Sequence, residues 1–103
     1  MRIEWTDHAK WQRKQIVDYI RNRFGVRSVR KYRQEIAQVS NLILRHPNIA
    51  PIEPLFDNRS IAYRSIIING LSKMVYYVDD DIIYVAAIWD TRCDPQTQDA
   101  QTE

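Results

Sequence analysis

The sequence predicts an α+β domain: an N-terminal strand, then an antiparallel helical hairpin packed on a mostly antiparallel sheet whose C-terminal part is a three-stranded meander. Three observations carry that reading. Two consecutive segments repeat apolar residues at helical spacing, a glycine separates them with almost no linker, and three short apolar runs follow, divided by Asn69-Gly70 and by Asp79-Asp80-Asp81.

Met1 to Trp5 alternates Ile3 and Trp5 with polar residues, the period of a strand, and Thr6 or Asp7 can cap the helix that follows. The first helix should run from about His8 to Phe24. Ala9, Ile16, Tyr19, Ile20 and Phe24 share one face, and Gly25 supplies the stop. Gln12 interrupts that stripe, which leaves Trp11 to cover the gap. In the second helix Val29, Tyr32, Ile36, Val39 and Ile43 alternate at spacings of three and four, Ser28 lies near the start, and His46-Pro47 ends it. So short a link folds the two helices back on each other.

Pro47, Pro51 and Pro54, with Asn48, mark a loop that Asp57 to Ser60 continue. Strands are expected at Ile61 to Ile68, Lys73 to Val78 and Ile82 to Trp89. The last is apolar on both faces, the pattern of a central, doubly covered strand. Residues 1–95 therefore read as one domain, and the polar residues 96–103 as a tail.

Composition narrows the classes. A chain of 103 residues, 45% hydrophobic, can bury roughly 65% of the surface its unfolded form exposes. Cys93 is the only cysteine, which excludes an internal disulfide or a multi-cysteine metal site. The opening residues lack an apolar leader core, and no stretch approaches the roughly 20 apolar residues of a bilayer span. A soluble, cytoplasmic protein with no membrane association is expected. The net charge of +2 hides an asymmetry: residues 1–45 hold eleven Lys/Arg against four Asp/Glu, and residues 46–103 hold four against nine. A basic N-terminal half can attract nucleic acid or an acidic partner, or serve solubility alone.

The sharpest candidate site lies just past the last strand. Arg92 stands between Asp90 and Asp94 and is closed by Pro95, so a turn should hold it. Either carboxylate can orient the guanidinium, and a simple structural ion pair is the plain alternative. Asp79, Asp80 and Asp81 project in different directions from a tight turn and would enclose a cation poorly. No metal or cofactor is expected.

The short strand ending Glu4-Trp5-Thr6, the helix segment Val17-Asp18-Tyr19-Ile20, Arg45-His46-Pro47, Tyr63-Arg64-Ser65, Met74 to Val78, and Trp89 to Pro95 together resemble the RelE/ParE toxin superfamily of bacterial type II toxin-antitoxin systems. The resemblance covers nearly the whole chain. It implies a growth-inhibiting toxin, of the kind used in plasmid stabilization, that is neutralised by a cognate antitoxin whose C-terminal segment wraps around it. RelE-like members cut mRNA on the ribosome, whereas ParE-like members poison DNA gyrase and have no established catalytic site.

Metal-independent RNA cleavage needs a base for the 2′-hydroxyl, positive charge for the pentacoordinate phosphate, and an acid for the leaving oxygen. On the RelE pattern Arg64, Lys73 and Arg92 match the basic positions. The tail residues 96–103 contain neither the tyrosine nor the histidine that the pattern expects. His8 and His46 fall at helix ends, where capping is the ordinary role, and Tyr63, Tyr77 and Tyr84 fall in strands, where packing is. The ParE-like reading is therefore favoured, with Arg92, Asp90, Arg64 and Trp11 as candidate contacts for target or antitoxin. The ribosome-dependent nuclease remains the alternative. A degenerate, non-toxic module that binds protein or nucleic acid is the reading of another class.

Overall fold

The computed structural model describes residues 1–54, 60–70 and 72–90. Its elements follow the expected order: β1 (Arg2–Trp5), α1 (Asp7–Phe24), α2 (Val26–Arg45), β2 (Arg64–Ile68), β3 (Ser72–Asp79) and β4 (Ile82–Asp90). They form one four-stranded sheet in the order β1-β4-β3-β2. The meander pairs are antiparallel, and β1 lies parallel to β4. An α+β fold with the helical hairpin on one sheet face results.

β4 has strand neighbours on both edges, and a packed cluster on each face accounts for its apolar character. Ile83, Val85 and Ile88 enter the main core with α1 and α2, while Ala87 and Trp89 join a second cluster with Tyr63, Val75 and Tyr77. Val75 faces Ala87 but Tyr76 faces Val85, so Ala86 is the extra residue of a β-bulge. Asn69, Gly70 and Asp80 take positive φ in the two hairpin turns, at 54°, 67° and 55°.

The helix boundaries follow from local chemistry. Thr6 caps α1, its Oγ1 accepting from the Ala9 amide at 3.1 Å, and Asp7 falls in the first turn, where a negative charge suits the helix dipole. Gly25 alone links the helices. Its φ of 97° and ψ of −179° lie in a region essentially restricted to glycine, and its amide donates to Ile20 and Arg21 carbonyls. α2 buries Val29, Tyr32, Ile36 and Ile43, with Val39 packed against the core, as its spacing predicts.

Three expectations need correction. Tyr19 and Phe24 are exposed rather than core: Tyr19 sits at the margin of the stripe, and Phe24 on the last turn. Val17, which the stripe omitted, is buried instead. Gln12 does not interrupt the core but belongs to it, and Trp11 does not cover a gap, since it is 56% exposed. The second strand starts at Arg64, three residues later than Ile61. Residues 51–53 run along its outer edge, with Glu53 N–H donating to the Tyr63 carbonyl and Ser65 N–H to that of Pro51. Pro51 and Pro54 lack amide protons, so this ladder stops at a single bridge, Ile52 to Arg64.

Gln12 has a specific reason to be inside. β1 ends where Trp5 meets Val85, so the β4 edge beyond that point loses its strand partner. The start of α1 replaces it. The Thr6 amide donates to the Val85 carbonyl at 3.1 Å, the Thr6 hydroxyl to that of Ala86 at 3.4 Å, and the Ile88 amide donates to Gln12 Oε1 at 2.9 Å. Among the described residues, no helix is long and apolar enough to cross a membrane.

Candidate functional site

A groove of about 800 Å³ opens between α1, the start of α2 and the end of the sheet. Its apolar wall comes from α1, where Trp11, Tyr19 and Phe24 are exposed and Ile16 and Ile20 sit deeper. Trp11 and Tyr19 are eight residues apart and so share a helix face. The charged rim is balanced, with Arg23 and Lys31 against Glu35 and Asp90. At its floor the Tyr32 hydroxyl meets Ser72 Oγ at 2.9 Å, both side chains buried. Burial above all raises the Tyr32 pKa, with the Ser72 hydrogen bond acting against it. Glu35 Oε2 is shielded from solvent and makes no hydrogen bond among the described residues.

The residues singled out by sequence fall into three groups. Trp11 and Asp90 come together in this groove. Asp90 ends β4 opposite Ser72, and Trp11 stacks against His8 with ring centroids 6.1 Å apart. Arg64 and Lys73 do not come together. Arg64 pairs with Tyr76 on the helix side of the sheet, whereas Lys73 pairs with Ile67 and Trp89 on the opposite side. Each is already engaged. Arg64 Nη1 donates to the carbonyls of Ala50 at 2.7 Å and Asn48 at 3.3 Å, and alongside it Tyr76 donates to Pro47 at 2.7 Å. Lys73 Nζ lies 3.2 and 3.1 Å from the two carboxylate oxygens of Glu53, whose residue is only 1% exposed. Arg92, with Asp94 and Pro95, lies outside the described residues.

These positions define what the arrangement can do. Among the described residues, the cations of the nuclease pattern fix loop carbonyls and a buried carboxylate rather than converging on one point. No group of three or more His, Cys, Asp or Glu residues among them could hold a metal ion. Tyr63, Tyr77 and Tyr84 pack against one another on the face away from the helices, Tyr63 edge-on to Tyr77 at 5.4 Å and Tyr77 stacked on Tyr84 at 5.2 Å. What the groove offers is shape and exposed aromatic area, the means of binding another chain.

Sequence reasoning missed two parts of this site. Tyr19 and Phe24 were assigned to the core, although the Trp11–Tyr19 spacing marks a second aromatic face on α1. The Glu53–Lys73 pair has a weaker signal, a lone carboxylate between Pro51 and Pro54.

Comparison with known proteins agrees with the fold. Of the solved structures, the chain is similar to the chromosomal ParDE TA system from P. aeruginosa, with a TM-score of 0.70 and 18% identity over 87% of this chain and 95% of that one. At that identity the likeness is one of fold. None of the curated proteins matches. Residues 3–95 match the family model described as the ParE toxin of the type II toxin-antitoxin system, parDE, and with nearly all of its length inside that match the chain belongs to the ParE toxin family.

Proposed function

We propose that this protein arrests growth in the cytoplasm by binding a cellular target, DNA gyrase, and that a cognate antitoxin neutralises it. The family match over residues 3–95 carries the reading. A toxin that acts by binding needs a complementary surface with a few aromatic or arginine anchors and no proton-transfer pair. Arg92, oriented by Asp90 or Asp94, is the anchor for the target. The antitoxin takes the groove beside α1, where an amphipathic segment can cover Trp11, Tyr19 and Phe24 and order as it binds.

The engagement of Arg64 and Lys73 with partners on opposite sheet faces speaks for this reading over the ribosome-dependent nuclease. Induced expression alone, and together with any antitoxin-like frame found beside its gene, tests it. Growth arrest with an SOS response, intact mRNA and inhibition of gyrase supercoiling by purified protein is expected. Codon-phased mRNA cuts would transfer the chain to the nuclease branch, and absence of arrest would leave a non-toxic binding module. Arg92→Ala should abolish toxicity while keeping the fold and antitoxin binding. Unfolding of that variant would instead make Arg92 a structural ion pair.

A further inference from the structure

A second groove, of about 620 Å³, runs between the two helices on the other flank of α1. Lys10, Arg13, Lys14 and Arg21 line it from α1, and Arg33 from α2. Asp18 is the one carboxylate among its lining residues, and both Lys14 (2.9 Å) and Arg21 (3.2 Å) already contact it. The Lys14 hydrogen bond is the main reason its pKa is lowered. Five cations against one carboxylate leave a balance of +4, and Lys10, Arg13 and Arg33 make no ion pair among the described residues. Arg13 is held in place by stacking, its guanidinium carbon 4.3 Å from the centroid of the Trp5 ring.

We infer that this groove between α1 and α2 binds the sugar-phosphate backbone of a nucleic acid, independently of base sequence. The lining of the groove favours that occupant over an acidic polypeptide. A peptide segment that orders on binding needs apolar anchors as well as charge, but here the large apolar lining residues, Val17 and Ile36, are only 5% and 7% exposed, and the third, Ala37, offers a single methyl group. The exposed aromatics lie instead in the groove on the opposite flank of α1, where charges cancel. The spacing also fits. Lys10 to Arg21 spans eleven helical steps, about 16 Å, and one strand of a duplex presents a phosphate every ~3.4 Å along its axis, so about five phosphates pass the row. The inference rests on the charge geometry alone and stands whether or not gyrase is the target.

The test is fluorescence anisotropy of the full chain with labelled duplexes of two unrelated sequences, as DNA and as RNA, at several salt concentrations. Micromolar binding to at least one kind of duplex is expected, alike for both sequences, with a log-log salt slope steeper than about −2 for three or more phosphates neutralised. Lys10→Gln with Arg33→Gln should weaken binding at least about tenfold and flatten the slope by about 2, while Trp11→Ala changes neither. Thermal melting of each variant separates lost binding from lost fold. If the double variant unfolds, each single substitution is measured and should flatten the slope by about 1. Lack of binding at about 100 μM protein would overturn the inference, as would equal binding by the variants. Displacement of the duplex by polyglutamate at matched charge concentration would reassign the groove to an acidic polypeptide.

Discussion

Replacing Gln12 with leucine keeps the volume at a core position and removes an amide that the fold uses. Gln12 is 5% exposed, and its Oε1 accepts the Ile88 amide at 2.9 Å where β1 no longer reaches β4. Ile88 is itself fully buried, so in Gln12→Leu that amide has neither strand, side chain nor water to donate to. Orphaning a buried backbone donor costs about 1–3 kcal/mol. Leucine's better apolar transfer offsets only part of this. For a domain of this size each kcal/mol shifts the melting temperature by roughly 4–8 °C, so a loss of about 5–20 °C is expected. Urea denaturation should show a lower midpoint at unchanged slope, and hydrogen exchange should show faster loss of the Ile88 amide proton. Gln15→Leu, one turn along on the exposed face, serves as the control and should stay within about 0.5 kcal/mol. A Gln12→Leu midpoint equal to that of the parent would refute the argument that Gln12 stands in for a strand.

Three further outcomes follow from the packing. Lys73→Met removes a cation 3.1 Å from the buried Glu53 carboxylate and should cost about 1–3 kcal/mol by denaturation; adding Glu53→Gln should recover part of it, and a double variant no better than the single would sink this account. Gly25→Ala should cost about 1–3 kcal/mol in thermal melting through backbone strain alone, because an added Cβ meets nothing within 4 Å. Burial raises the hydroxyl pKa values of Tyr32 and Tyr76. The unfolded chain therefore ionises first, and their contribution is complete below about pH 10 and lost as pH rises through the folded values. Tyr32→Phe with Tyr76→Phe should give a shallower alkaline loss of stability, measured by urea midpoints between pH 9 and 11.

The order and type of every described element were legible in the sequence, because α2 and β4 announce themselves by period and by continuous apolarity. α1 was harder. It packs on the sheet and on α2 at once, so its buried set spreads from Gln12 to Val17, and no single stripe describes it. A polar residue inside it looked like an interruption, since the demand it meets arises 76 residues later at Ile88. The site residues divide in the same way. Trp11 stood out as an aromatic that fitted the core poorly, and it does face solvent. Arg64 and Lys73 matched a pattern by strand position, but strand alternation sends them to opposite faces, and the partners that hold them, the 48–50 carbonyls and Glu53, belong to a loop whose path no local signal reveals.

The parallel pairing of β1 with β4 also sets a clock. Arg2 finds its neighbour at Ile82, eighty residues later in synthesis. At about 5–20 residues per second, a ribosome takes roughly 4–16 s to cover that interval. The helical hairpin can form on the nascent chain during those seconds, but β1 has no strand to join, and a groove that needs both Trp11 and Asp90 does not exist. The order of its strands thus keeps this fold unassembled until β4 has been made.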